Sequence, residues 1–248
     1  MSAMETLRPE SSAGDGPDDL FVRLRQLARR VPEPIATVSP ERTASYRKLW
    51  SRVERATARL QGEWGVTAGQ LVVYQGPPHP DALVLWLALC RLGACLLPFE
   101  QDPARSNAGA LVPEHAASDA MLCLHADDIL PSVPKVSGAS RALSSLIMQP
   151  CPHQSVVMHE DGLLDCIEFP PDATDRGPRR FNLRELMSEY RQAPGRLSAV
   201  GPDIALDRGA LGEDVLGPLL LPALMAGRCL VFGAMPLSAT QPAAAGLR

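Results

Sequence analysis

Residues 70–99 read QLVVYQGPPHPDALVLWLALCRLGACLLPF, and they contain a short apolar run, a proline-rich turn, a longer apolar segment and a second short run. Leu71–Tyr74 and Ala94–Leu97 have the length of strands, whereas Ala82–Leu92 is long enough for a helix that is apolar on nearly every face. Gly93 suits the left-handed position that follows a helix. The stretch therefore predicts a βαβ unit, which implies a parallel sheet covered by helices.

The flanking sequence extends this alternation of strands and helices. Asp18 or Asp19 could cap a first helix that Pro32 and Pro34 end, and Ser45 is a candidate N-cap for a second helix. Further strands are predicted at residues 35–38, 121–124 and 229–232, further helices at residues 183–190 and 216–226, and a loop at residues 131–145. We expect an α/β fold with a parallel or mixed sheet layered with helices over residues 18–235, and flexible tails at residues 1–17 and 236–248.

Composition excludes several classes of protein. The 248 residues are 46% apolar, which is enough for a sizeable core, and the net charge of −4 is not that of a nucleic-acid binder. No run reaches the roughly 18 apolar residues of a membrane span, and residues 1–19 lack the apolar core of a signal peptide. Six widely spaced cysteines within mostly apolar runs favour buried thiols in a reduced, cytoplasmic protein. We expect no nucleic-acid or membrane partner.

Lysine is nearly absent from the chain. Only Lys48 and Lys135 are lysines, so 22 of the 24 basic residues are arginines. This usage, with much alanine and proline, is typical of GC-rich bacterial coding. It also leaves almost no lysine for nucleophilic chemistry or for binding phosphate.

The stretch TASYRKLWSRVERATARLQGEWGVTAGQLVVYQGPPHPDALVLWLALCRLGACLLPF, at residues 43–99, resembles the beginning of the adenylate-forming (AMP-binding) superfamily. That family includes acyl-CoA and aryl-CoA synthetases, nonribosomal peptide adenylation domains and luciferases. The matching positions are Ser45-Tyr46 to Leu49, Gly65-Val66 with Gly69 and Val72, Arg91 to Ala94, and Leu97-Pro98. Weaker similarity extends the resemblance to residues 20–235, and it implies the fold of the N-terminal part of such an enzyme.

The resemblance places the phosphate-binding loop of the family at residues 169–181, FPPDATDRGPRRF. The family has a Ser/Thr/Gly-rich loop there, whose backbone N–H groups cradle the phosphates of ATP. In this chain Asp172 and Asp175 stand where the family has glycine, and Pro170 and Pro171 replace its hydroxyl residues. Two carboxylates repel a triphosphate and prolines have no N–H to donate, so the loop is degenerate.

Four residues of this segment are the candidate anion ligands. They are Thr174, Arg176, Arg179 and Arg180, of which Thr174 and Arg179 fall near positions that match the family. Guanidinium groups pair well with phosphate or carboxylate, so a remodelled ligand or partner site is one interpretation. The alternative interpretation, which we favour, is a solvated loop that no longer binds phosphate.

The sequence offers no residue for the other roles that the family requires. We find no counterpart of the family's acidic ribose ligand, of its later Thr-Glu motif or of its C-terminal domain with the adenylation lysine. Neither Lys48 nor Lys135 stands in a context that matches this lysine. We therefore predict no catalytic residue. Ser132 lies three residues before Lys135 as in a Ser/Lys nucleophile motif, but in a proline-flanked loop, where coincidence is the simpler explanation.

Cysteines and histidines suggest a possible zinc site by residue type alone. Cys151, His153, His159 and Cys166 are suitable ligands, but their spacing matches no compact zinc motif. We predict no metal site. No Gly-x-Ser-x-Gly motif, dinucleotide fingerprint or Walker loop is present either.

Three functional hypotheses follow from the resemblance. The first is a non-adenylating, pseudoenzyme-like homologue that needs no cofactor and acts as a binding or partner subunit in an acyl- or aryl-acid activation pathway. The second is one half of a split ATP- and Mg²⁺-dependent ligase that another chain completes. The third is a scaffold with an unrelated small-molecule site. Partners implied by the first two are a second copy of the chain, an acyl-carrier protein or a synthetase component.

Overall fold

The computed structural model describes residues 18–99, 120–127, 139–148, 165–169, 179–192, 203–206 and 216–233. In these segments the helices are α1 (Asp18–Ala28), α2 (Tyr46–Gly62), α3 (Pro80–Leu92), α4 (Leu183–Gln192) and α5 (Leu221–Ala226). The strands are β1 (Ile35–Val38), β2 (Thr43–Ser45), β3 (Leu71–Gln75), β4 (Cys95–Phe99), β5 (Ala120–His125), β6 (Ala139–Ala142), β7 (Asp165–Phe169), β8 (Arg179–Asn182), β9 (Asp203–Leu206) and β10 (Cys229–Phe232). A 3-10 turn spans Leu143–Leu146, and a π-helical turn at Leu216–Leu220 precedes α5.

These strands form two mixed sheets. The first has the order β2-β1-β10-β9, in which β2 at one edge is antiparallel and the other pairings are parallel. The second has the order β6-β5-β3-β4-β7-β8, in which β8 at one edge is antiparallel. The predicted βαβ unit, β3–α3–β4, lies at the centre of the second sheet, and the predicted α/β fold is confirmed.

Helices α2 and α3 join the two sheets. Helix α2 packs on β1 and β2 of the first sheet and also on α3, while α3 packs against β4 and β7 of the second sheet. Almost every side chain of α3 is therefore buried, including Trp86, which is the largest fully buried side chain. This arrangement explains why the segment is apolar all round, since each face of the helix meets protein.

Capping residues mark the start of α2 and the end of α3 where the sequence predicts. Ser45 accepts a hydrogen bond from the Lys48 N–H through its Oγ at 3.3 Å, which caps α2. Helix α3 begins with Pro80 in its first turn and ends at Gly93, whose φ of 66° is left-handed. A side chain at Gly93 would strain this turn, because L-residues rarely adopt a positive φ.

Five strands depart from the predictions, and four of them lie at sheet edges. Residues 139–142 form β6 inside a segment predicted as loop, β8 lies at the end of the predicted phosphate loop, and no strand is predicted at β2, β7 or β9. The sequence ASRA of β6 and the sequence RRFN of β8 are short, polar and largely exposed. Their strand conformation comes from backbone hydrogen bonds to β5 and β7, and it leaves little trace in a hydrophobic pattern.

Candidate functional site

The predicted phosphate loop connects two strands at one edge of the second sheet. Strand β7 ends at Phe169 and pairs antiparallel with β8, which begins at Arg179, so residues 170–178 join the two. The loop leaves the carboxyl end of β7, which is parallel to β4. In α/β sheets ligands bind outside the carboxyl ends of the strands, so the position suits a ligand site. Thr174 and Arg176 lie outside the described residues.

The guanidinium group of Arg180 forms an ion pair with a carboxylate of the protein instead of being available to a phosphate. Its Nε donates a hydrogen bond to Oε2 of Glu168 at 2.5 Å, in the register that pairs the two residues across the hairpin. The Glu168 side chain is fully buried, whereas that of Arg180 is 47% exposed. Burial alone would lower the pKa of Arg180, but the bond and the charge of Glu168 outweigh burial and raise it. The positive charge of Arg180 therefore balances a buried negative charge.

Arg179 lies on the opposite face of the strand, because consecutive side chains of a strand point to opposite sides. Its guanidinium carbon lies 5.1 Å from the ring centre of Phe181, two residues further along β8. The hairpin thus does not bring Arg179 and Arg180 together as one phosphate clamp. At the described base of the loop, the residues present do not fit a triphosphate.

Three thiols surround this hairpin base. Cys90, Cys95 and Cys166 influence one another electrostatically, and burial raises the pKa of the Cys90 and Cys95 thiols well above their ordinary range. Glu168 contributes to the rise at Cys95. Such thiols remain protonated at neutral pH and are poor nucleophiles. The prediction of buried thiols is confirmed for Cys95, Cys123 and Cys166, while Cys90 and Cys229 are half-buried as whole residues, and all five thiols are free.

No cluster of three or more potential metal ligands occurs in the described segments. Of the four residues considered for zinc, Cys166 is buried on β7, and Cys151, His153 and His159 lie outside those segments. Within the same segments no helix is both long and apolar enough to cross a bilayer.

A second site, which the sequence did not reveal, is a cleft of about 410 Å³ where strands of both sheets end. Its volume lies in the range of roughly 300–1,000 Å³ that is usual for small ligands. The residues that line it follow β1, β3, β5 and β10 and include part of the 3-10 turn: Ser39, Pro40, Glu41, Pro77, Pro78, His79, Pro80, Ala126, Asp127, Leu143, Phe232 and Gly233. The run of prolines around His79 is the sequence signal at this cleft, and by itself it predicts only a turn.

A charge cluster stabilises the wall of this cleft at the beginning of α3. The buried carboxylate of Asp81 forms an ion pair with Arg42 and lies 4.0 Å from a guanidinium nitrogen of Arg52. His79 caps the helix, since its Nδ1 accepts a hydrogen bond from the Asp81 N–H at 3.1 Å. A ring nitrogen can accept this bond only when it carries no proton.

The pKa of His79 is below its ordinary value of 6.5. Burial of the imidazole is the main cause of this lowered pKa, and the positive charge of Arg42 lowers it further. The negative charge of Asp81, and to a smaller extent those of Glu41 and Asp127, act in the opposite direction. The folded state disfavours the charged imidazole, so the unfolded state binds more protons at this residue as the pH falls below about 6.5. The stability that neutral His79 contributes at higher pH is therefore lost in this range.

We therefore expect a His79→Asn variant, which keeps an N-cap, to lose less unfolding free energy than the natural protein between about pH 7.5 and about pH 5.5. Urea unfolding at the two pH values measures the difference. An equal loss in both proteins would contradict the lowered pKa.

The family model described as "AMP-binding enzyme" matches residues 24–175, more than half of the chain. The chain belongs to the AMP-binding enzyme family. The match begins within α1 and ends in the segment between β7 and β8, so it covers the central βαβ unit and ends within the predicted phosphate loop. The resemblance inferred from residues 43–99 is confirmed.

A curated relative of this AMP-binding family member is the D-alanine–D-alanyl carrier protein ligase of Bacillus licheniformis. The two are 32% identical over 81 residues, which are 33% of this chain and 16% of the ligase. The chain therefore matches only a small part of that enzyme.

Solved structures with the same fold include N-terminal subdomains of adenylate-forming enzymes. The N-terminal subdomain of NpsA from Klebsiella oxytoca superposes with a TM-score of 0.65 at 20% identity, over 89% of this chain and 54% of that one. The O-succinylbenzoate coenzyme A synthetase MenE of Bacillus subtilis, in complex with AMP, superposes with a TM-score of 0.66 at 12% identity. This match covers 85% of this chain and 55% of that one. The chain thus spans about half the length of these structures, and the likeness establishes the fold.

Proposed function

We propose that this member of the AMP-binding family does not adenylate an acid and acts as a partner subunit in acyl- or aryl-acid activation. The observation that carries the proposal is the pairing of Arg180 with the buried Glu168 at the base of the phosphate loop. A cation already neutralised by a buried carboxylate adds little attraction for the phosphates of ATP.

The sequence of the loop supports the same conclusion. Asp172 and Asp175 add negative charge where the family has glycines, and Pro170 and Pro171 remove backbone donors. Repulsion between like charges rises steeply when solvent is excluded, as it is in a site that encloses a triphosphate.

A carrier protein or a synthetase component is the partner that we propose. One related structure is an artificially fused adenylation–PCP di-domain, NpsA–ThdA. The related ligase of Bacillus licheniformis is named as a D-alanyl carrier protein ligase. Members of the family thus work with carrier proteins, and a non-adenylating member could retain that contact. A second copy of this chain as the partner, and a cytoplasmic location, stay predictions.

Calorimetric titration with Mg-ATP tests the proposal directly. We expect the isolated natural chain to bind Mg-ATP with a Kd weaker than about 1 mM. An Asp172→Gly/Asp175→Gly variant should bind measurably more tightly, since it removes two charges and restores two glycines. Tight binding of Mg-ATP by the natural chain would overturn the proposal.

ATP–pyrophosphate exchange separates the proposal from the split-enzyme alternative. The assay is run on the chain alone and after mixing with purified carrier and synthetase proteins encoded next to it. No exchange attributable to this chain is expected in either case. Exchange that requires both this chain and a second chain would establish a split ligase with ATP and Mg²⁺ as its requirements.

The cleft around His79 favours small-molecule binding as a second candidate function. It combines a volume of about 410 Å³ with a mostly apolar lining and a few polar groups, which is the usual composition of a ligand site. The imidazole NMR signal of His79, assigned by its loss in His79→Asn, reports on the cleft. A candidate acid that binds there should shift this signal and leave the indole N–H signal of Trp64, which does not line the cleft, unchanged. Equal shifts of both signals would point to a general effect.

A further inference from the structure

A separate cleft of about 620 Å³ lies between α1 and α2. Its lining consists of Arg25, Ala28 and Arg29 from α1, and of Arg47, Trp50 and Glu54 from α2. Three of the six lining residues are therefore cationic and one is anionic. This local excess of positive charge contrasts with the net charge of −4 of the whole chain.

Trp50 is the centre of this charge cluster. The guanidinium carbon of Arg91 lies 4.9 Å from the centre of the Trp50 ring, and that of Arg25 lies 6.0 Å from it. Burial lowers the pKa of Arg91, Glu54 opposes this effect, and the charge of Arg25 adds to it. Two cations thus lie beside one aromatic ring, and Arg25 is the one of them that lines the cleft. An anion bound in the cleft would offset part of this positive charge.

The carboxylates near the cleft do not balance its arginines. Glu33 contacts a terminal nitrogen of Arg47 at 2.6 Å, but both side chains are exposed, so water weakens the pair. Arg25 donates from Nε to the Phe21 carbonyl at a long 3.4 Å. In the part of the chain that the structure describes, no carboxylate forms an ion pair with Arg25 or Arg29. Their guanidinium groups can therefore turn towards a ligand.

We infer that this cleft, which we call the Trp50 cleft, binds a small molecule that carries a phosphate group. Three guanidinium groups offer several donors in forked pairs, which match the oxygens of a phosphate dianion better than a single carboxylate. The cleft is much larger than a phosphate, so it has room for an organic group against Trp50 and Ala28. The inference is independent of the proposed function, because no residue of the β7–β8 hairpin lines the cleft.

Phenyl phosphate is a suitable probe, because it combines a phosphate dianion with an apolar ring. Titration of the full chain by calorimetry should give one saturable site, and benzoate should bind at least tenfold more weakly. The Arg25→Gln/Arg29→Gln variant should bind phenyl phosphate at least tenfold more weakly than the natural protein. Arg29→Gln alone changes one exposed side chain, and it should show a partial loss even where the double variant folds poorly.

The matched control is Lys48→Gln/Arg55→Gln, which removes two exposed charges from α2 without changing the lining of the cleft. This variant should bind phenyl phosphate within about twofold of the natural protein. An equal loss in both double variants would mean diffuse surface charge instead of a site, and it would overturn the inference. So would the absence of saturable binding, or equal affinity for benzoate.

Discussion

Replacement of Arg59 with alanine is expected to destabilise the protein by about 3–5 kcal/mol. Arg59 lies on α2, and only 1% of its surface is exposed. Its Nη1 donates to the carbonyls of Ser145 at 2.7 Å and Leu146 at 3.0 Å, and its Nε donates to Glu63 at 3.0 Å. Truncation would leave two carbonyls of the 3-10 turn without these donors and would open a cavity against the helix.

Urea unfolding measures this loss, with Arg55→Ala as the control. Arg55 lies one turn earlier on α2 and is exposed, so its replacement should change the unfolding free energy by no more than about 0.5 kcal/mol. An Arg59→Lys variant should fall between the two, because one ammonium group cannot reproduce the forked guanidinium. A loss for Arg59→Ala that equals that of Arg55→Ala would show that the buried hydrogen bonds contribute nothing net.

Replacement of Arg180 with glutamine is expected to cost about 2–4 kcal/mol, because it removes a guanidinium group that forms an ion pair with the buried Glu168 carboxylate. Half of the Arg180 side chain is exposed, which places the expected loss below that of a fully buried pair. The additional replacement Glu168→Gln should restore most of the stability, since two neutral amides need no charge compensation.

The control for the Arg180 and Glu168 variants is Arg179→Gln, which lies on the other face of the same strand. It removes the same charge and the cation–π contact with Phe181 from a largely exposed side chain, so it should cost less than about 1 kcal/mol. Urea unfolding of the natural protein, Arg180→Gln, Glu168→Gln and the variant with both changes gives the coupling energy between Glu168 and Arg180. If Arg180→Gln and Arg179→Gln cost the same, Arg180 would not be committed to Glu168, and the main support for the proposed function would be lost.

Local physical signals account for what the sequence predicted well. The apolar runs around α3 predicted the βαβ unit, and Ser45 and Gly93 marked helix ends, because caps and left-handed turns depend on a few neighbouring residues. The match to the AMP-binding family rests on the same region. The edge strands β2, β6, β8 and β9 are not predicted, since an edge strand obtains its hydrogen bonds from a neighbour and needs little apolar pattern of its own. Strand β7 is not predicted either, because its sequence DCIEF mixes acidic and apolar residues.

The sequence by itself determined the α/β class, the central βαβ unit and the family. The tertiary structure alone decided the pairing of Arg180 with Glu168, the separation of Arg179 from it, the cleft around His79 and the arginines gathered at Trp50. These features join residues from different elements, so they depend on strand register and on how the helices and sheets pack. Register and packing are set by the whole core, and no local pattern records them.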